Sequence, residues 1–253
     1  MPDPVELDIP WTRGRFASRL RELFICRVLG PLMDAYTRCE VGGRERLDGL
    51  TGTVLFVANH NSHMDTPVIL RALPSEWRRR TAVAAASDYF YDKRPKALAA
   101  SLGFGTIPLD RRSGNGAGSG QTEHLDRLIR DGGSLLLFPE GTRSRDGRVA
   151  RLRSGAALLA TEHDLPIVPI YVSGTRAAMP RGRHWMVFKA GRPGPRHPIE
   201  VRFGNPIVPR DGERLSEVME RVRLFLAECG ANTERRDRAS PPARHRASAS
   251  QAR

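Results

Sequence analysis

The segment Asn59-His-Asn-Ser-His-Met-Asp65 sets an imidazole and a carboxylate five positions apart. A neutral imidazole accepts a proton near neutral pH, and does so better when a carboxylate fixes its tautomer and steadies the imidazolium that forms. His60 is therefore a candidate general base and Asp65 its orienting partner. On one continuous helix, residues five apart point about 140° apart. The pair thus needs His60 in a turn and Asp65 in the first turn of the helix that follows. Pro67 suits this, because proline is tolerated in a first helical turn, and Ser62 or Asp65 could cap the helix. Two other readings stay open on spacing alone. Asp65 could be only a helix cap beside a surface histidine, or His60, His63 and Asp65 could bind a metal. No third strong ligand cluster accompanies them, so no metal is expected.

A second segment, Leu137-Phe-Pro-Glu-Gly-Thr-Arg-Ser144, is turned by Pro139 and Gly141. The turn leaves Glu140, Thr142 and Arg143 projecting. The Arg143 guanidinium can grip a phosphate through two parallel hydrogen bonds, and backbone N–H groups at such a turn can help hold an anion. An ordinary exit from a strand reads the same way. A third segment, Gly103–Arg112, ends in Arg111 and Arg112, which either meet a phosphate or form a solvated cluster. The fourth, Pro166-Ile-Val-Pro-Ile-Tyr-Val172, carries two prolines in an apolar run and reads as an edge strand or a lipid-facing wall.

Such residues need elements to hold them. Short apolar runs at 53–58, 82–86, 106–109, 134–138, 167–172, 185–190 and 199–203 predict strands. Helical patterns fall at 66–73, 93–102, 122–130, 154–163 and 213–228. Strands alternating with helices predict an α/β fold, with a largely parallel or mixed central sheet flanked by helices. The first two segments each follow a strand, and ligand sites in such sheets lie beyond the carboxyl ends of strands.

Residues 13–38 predict an amphipathic helix pair. Phe16, Leu20, Leu23 and Phe24 share one face, six arginines oppose two acids, and Gly30-Pro31 is expected to kink or break the helix. Such a pair could lie in a lipid headgroup layer or simply pack on the core. Residues 113–120 read as a flexible Gly/Ser linker and 231–253 as a disordered basic tail. The expected organisation is an N-terminal extension with amphipathic helices over 1–40, an α/β domain over 41–230 and the tail over 231–253.

The 253 residues carry a net charge of +13, and all but three of the 41 basic residues are arginine. The balance implies an anionic partner, although a general bias toward arginine gives the same total. Aromatics are 6% and no nucleic-acid motif is present, so nucleic acid is not expected. Cys26, Cys39 and Cys229 lack paired spacing, which argues against a disulfide framework or zinc site and fits a reducing compartment. The acidic start lacks an apolar run, and no stretch approaches about 20 apolar residues. Neither a signal peptide nor a spanning helix is expected, so membrane contact would be peripheral.

Asn-His-x-Ser-x-x-Asp, Ile-x-x-Asp-Arg, Phe-Pro-Glu-Gly-Thr-Arg-Ser and Val-Pro-Ile occur here in that order, within roughly residues 41–210. Together they resemble the four motif blocks of the glycerolipid acyltransferase family, which includes 1-acylglycerol-3-phosphate acyltransferases. The resemblance implies that 41–230 is an acyltransferase domain. His60 would deprotonate an acceptor hydroxyl and Asp65 would orient His60. Arg111, Glu140, Gly141, Thr142 and Arg143 would position a lysophospholipid acceptor, with Arg111 and Arg143 at its phosphate. The acyl donor would be acyl-CoA or acyl-carrier protein, with no cofactor. It also implies a membrane partner, met at the cytoplasmic face by a peripheral or monotopic protein. Two departures stand out. Ser87 or Asp88 falls where the family often carries a lysine, which leaves open another lysolipid or alcohol as acceptor. Arg153-Ser-Gly155 replaces the family's Lys-x-Gly and keeps the charge but not the geometry. A basic protein that binds anionic lipid without chemistry is the alternative from a different class.

Overall fold

A computed structural model describes residues 8–86, 94–109, 121–183, 185–191 and 193–231. Ser87, Asp88, Arg111, Arg112, the 113–120 linker and all but Ala231 of the tail lie outside the described residues.

The chain begins with helices α1 (Arg15–Leu23) and α2 (Gly30–Tyr36) and strand β1 (Thr37–Gly42). Strand β2 (Leu55–Ala58) leads to α3 (Asp65–Ala72), α4 (Ser75–Arg80) and β3 (Thr81–Ala86). Then come α5 (Arg94–Phe104), β4 (Thr106–Leu109), α6 (Gln121–Arg130), β5 (Ser134–Leu137) and α7 (Gly155–Glu162). The described chain closes with β6 (Ile167–Ser173), α8 (Thr175–Ala178), β7 (His197–Phe203) and α9 (Leu215–Glu228).

The strands form one sheet in the order β1-β7-β6-β2-β5-β3-β4. β6, β2, β5, β3 and β4 run parallel, and β7 turns back antiparallel on β6 with β1 parallel beside it. The sheet is therefore mixed, one of the two forms expected for it. β2 and β5 are buried along their whole length, which explains their unbroken apolar runs, because a parallel sheet is covered on both faces. One face packs Phe56, Leu136 and Val168 against Ile69, Leu73 and Trp77. The other packs Leu55, Leu135 and Ile167 against α7 and α9 through Ala157, Val218 and Leu226.

Four expectations are corrected. Residues 185–190 are not a strand: Phe188 stacks on Tyr36 at 4.3 Å between ring centroids and Ala190 has φ of 57°. The edge beyond β7, where such a strand could add, is taken by β1, which the sequence reading missed. β6 is central rather than an edge strand. Pro169 is accommodated because its N–H side faces β7 just past the last pair, Ile170 with Phe203. Neither Ser62 nor Asp65 caps α3, whose N-cap is Met64 with no side-chain cap bond. Finally, of the kink or break expected at Gly30-Pro31 the break does not occur: the chain passes from α1 into α2 through π-helical turns at Phe24–Leu29.

The N-terminal helices are fastened to the domain. Arg71 forms a two-pronged ion pair with Asp34, both bonds at 2.6 Å, and Arg78 pairs with Glu22 at 3.0 Å. Ile25 and Met33 join the core, while Phe16, Leu20, Leu23, Phe24 and Val28 remain exposed.

Candidate active site

β6, β2 and β5 are neighbours and parallel, so the loops after them emerge side by side. This adjacency, invisible in sequence order, brings together residues 59–65, 138–144, 174–183 and 185–187. Asn59 extends the ladder past the end of β2. Its amide group donates to Val172 O and accepts from Val172 N–H, both at 2.8 Å. The chain then turns sharply, and His60 stands at the turn.

His60 Nδ1 lies 2.9 Å from Asp65 Oδ2. The same oxygen accepts from the backbone N–H of Asn61 at 2.6 Å and of Ser62 at 2.8 Å. Asp65 is fully buried, so three converging donors fix its carboxylate with little freedom. Because the carboxylate accepts, Nδ1 donates and the lone pair resides on Nε2. The His60 ring stacks on Phe138, with centroids 4.2 Å apart. An imidazole with a free lone pair, locked in tautomer and plane, is arranged to take a proton. Asp65 thus serves the turn that carries His60 rather than capping α3.

Glu140, expected among the acceptor-binding residues, turns its carboxylate to the backbone around His60. It is buried; Oε1 accepts from the His60 backbone N–H at 2.7 Å and Oε2 from Ala150 N–H at 3.0 Å. Ser144 N–H also donates to His60 O at 2.8 Å. The loop after β5 therefore holds the backbone of His60 on both sides. Burial pushes the Glu140 carboxyl above the usual carboxylate range, against the pull of these two N–H donors. Gly141 has φ of 71°, and a Cβ there would come within 3.0 Å of Arg153 Nε. The left-handed φ favours glycine, and a Cβ would in addition push the Arg153 guanidinium aside.

A pocket of about 840 Å³ opens beside His60. Gly141, Thr142 and Arg143 line it, as does Arg181. Its inner wall is apolar, with Leu29, Met64, Ala85, Phe104 and Leu137 among its residues. Of the site residues expected from sequence, His60, Gly141, Thr142 and Arg143 line this mouth; Asp65 and Glu140 are buried behind it, and Arg111 lies outside the described residues. Arg181 was missed because Pro180-Arg-Gly-Arg183 reads as a solvated turn. Among the described residues, no group of three or more His, Cys, Asp or Glu could hold a metal ion.

An α/β sheet thus carries a histidine–carboxylate pair beside a largely apolar pocket. Residues 38–173 match the Acyltransferase family model, and the chain belongs to that family. It is similar to the chloroplastic 1-acyl-sn-glycerol-3-phosphate acyltransferase of Brassica napus, at 30% identity over 58% of this chain and 40% of the relative. It is also similar to the human 1-acyl-sn-glycerol-3-phosphate acyltransferase beta, at 29% identity over 54% of this chain and 46% of that protein. The match thus spans less than half the length of either relative. The crystal structure of the 1-acyl-sn-glycerophosphate acyltransferase from Thermotoga maritima superimposes with a TM-score of 0.60. That alignment covers 90% of this chain and 84% of the other at 23% identity, a likeness of fold.

Proposed function

We propose that the chain transfers a fatty acyl group from acyl-CoA or acyl-carrier protein to the free hydroxyl of 1-acylglycerol-3-phosphate, giving phosphatidic acid. The observation that carries this is a single mouth that combines the His60–Asp65 pair, a guanidinium at Arg143 and an apolar interior. A lysophosphatidate has matching parts: a hydroxyl to deprotonate, a phosphate to pair with arginine and an alkyl chain to bury.

His60 Nε2 takes the hydroxyl proton as the acceptor oxygen bonds to the thioester carbonyl carbon. The C–S bond then breaks, and the imidazolium returns its proton to the thiolate, so thiol leaves and an ester remains. Asp65 stabilises the imidazolium between these steps. Arg143, and Arg111 by the resemblance, hold the phosphate. Glu140 keeps His60 in place from below, while Gly141 and Thr142 shape the phosphate side.

The membrane-facing part of the proposal has its own support. None of the described helices is long and apolar enough to cross a membrane. Phe16 is 76% exposed and Leu23 56%, on helices that carry exposed Arg15, Arg19 and Arg27. An exposed apolar stripe flanked by cations suits the headgroup layer of anionic lipid. We place the protein at the cytoplasmic face, with these helices in one leaflet.

Thiol release from acyl-CoA and from acyl-carrier protein, with 1-acylglycerol-3-phosphate, other lysolipids and monoacylglycerol as acceptors, tests the reading. Fastest release with 1-acylglycerol-3-phosphate is expected. Faster release with another acceptor reassigns the substrate, and none with any acceptor leaves a lipid-binding protein without chemistry.

A further inference from the structure

The mouth holds a cation that lies outside all four sequence blocks. Arg181 stands in the loop between α8 and β7. That loop is closed at its base by Val187 N–H donating to Ala178 O at 2.8 Å and turned by Arg183 N–H donating to Pro180 O at 3.1 Å. The Ser62 hydroxyl donates to Met179 O at 2.8 Å, which ties the loop to the turn that carries His60. Arg181 is therefore fixed relative to His60 by a short path of bonded residues, although the two are far apart in sequence.

The Arg181 side chain is exposed, and no ion pair or hydrogen bond to another described residue holds its guanidinium. It lines the pocket together with Arg143, and no carboxylate lines that pocket among the described residues. The two arginines come from loops after β6 and after β5, which flank the loop after β2 that carries His60. A phosphate monoester carries about −1.5 to −2 charges near neutral pH. It can accept from two guanidinium forks at once, whereas a glycerol headgroup without phosphate offers no charged acceptor.

We propose that Arg181 and Arg143 clamp the phosphate monoester of the acceptor from two sides of His60, so that Arg181 sets the preference for a phosphorylated acceptor. This rests on the acyltransferase reading above. The anion belongs to the acceptor rather than the donor for a geometric reason. The reacting hydroxyl must lie within hydrogen-bond reach of His60 Nε2, and in 1-acylglycerol-3-phosphate the phosphate is attached to the neighbouring carbon. In acyl-CoA the long pantetheine arm separates the thioester from the nearest phosphate.

The test is steady-state thiol release by the wild type, Arg181→Gln and Arg181→Lys, with acyl-CoA as donor and 1-acylglycerol-3-phosphate or monoacylglycerol as acceptor. Losing a pair of charge-assisted hydrogen bonds is expected to raise the KM for 1-acylglycerol-3-phosphate roughly ten- to a hundredfold in Arg181→Gln. The loss should fall on that KM more than on kcat, the preference over monoacylglycerol should shrink in proportion, and Arg181→Lys should recover part of it. An unaltered acceptor KM overturns the clamp. A rise confined to the KM for acyl-CoA also overturns it and assigns Arg181 to the donor's phosphates. A silent wild type removes the acyltransferase reading itself, and this inference with it.

Discussion

At the scale of single residues, Glu140 joins stability to function most directly. Its carboxylate is held above the usual range by burial, yet both oxygens serve the backbone around His60. The unfolded chain ionises this group first, near pH 4.3, roughly. A carboxyl raised in the folded state contributes stability that is fully present below the unfolded value and lost as pH rises through the folded one. Glu140→Gln removes that dependence while leaving a single carbonyl acceptor. Thermal unfolding from about pH 4 to neutrality should show the variant gaining on the wild type as pH rises. A constant difference across that window would contradict the account. The same variant should turn over more slowly at every pH, because an amide cannot accept from both His60 N–H and Ala150 N–H. Residue types and spacing were enough to nominate His60 and Asp65, since the pair is local. The direction of Glu140 was not legible, because its partner His60 lies 80 positions away. Arg181 was hidden because its segment reads as a solvated turn, and only the fold sets that turn beside His60.

At the scale of elements, the side chain that matters most is Asn59, which stitches the end of β2 to β6 after the strand has finished. Asn59→Ala would leave the buried N–H of Val172 unpaired, at a cost of about 1–3 kcal/mol, and its C=O with only the longer bond from Asn61 Nδ2 at 3.4 Å. The expected result is lower unfolding stability together with a fall in kcat, because the turn that carries His60 loses its anchor. A variant with wild-type stability and kcat would show that the ladder extension is dispensable. Strands β2 to β6 were legible because each is an apolar run buried on both faces. β1 was not, because Thr37-Arg-Cys-Glu-Val-Gly42 is an edge strand with Arg38 and Glu40 exposed. The opposite error at residues 185–190 has the complementary cause. Trp185, Met186 and Phe188 are apolar enough for a strand, but the sheet has no free edge there.

At the scale of the whole molecule, the N-terminal helices face two ways. Ile25 and Met33 complete the core, and Leu29 and Met33 line the pocket, while Phe16, Leu20 and Leu23 point outward. Deleting residues 1–38 would therefore strip core residues and part of β1, so point substitutions are the cleaner probe. Phe16→Asp with Leu20→Asp and Leu23→Asp should weaken co-sedimentation with phosphatidylglycerol vesicles by at least about tenfold, given roughly 1.5–3 kcal/mol for each buried apolar side chain. The unfolding temperature should stay near that of the wild type. Undiminished sedimentation would mean that these helices serve the fold alone. The α/β class followed from the alternation of runs, but the antiparallel return of β7 could not, because nothing in its own residues states its direction.

The central claim is that His60, held by Asp65, removes the proton from an acceptor hydroxyl. The most direct measurement is single-turnover thiol release from acyl-CoA with saturating 1-acylglycerol-3-phosphate, comparing the wild type with folded His60→Ala and Asp65→Asn. The account predicts that each substitution slows the chemical step by on the order of 10²–10⁴-fold. A His60→Ala protein that releases thiol at the wild-type rate would contradict it.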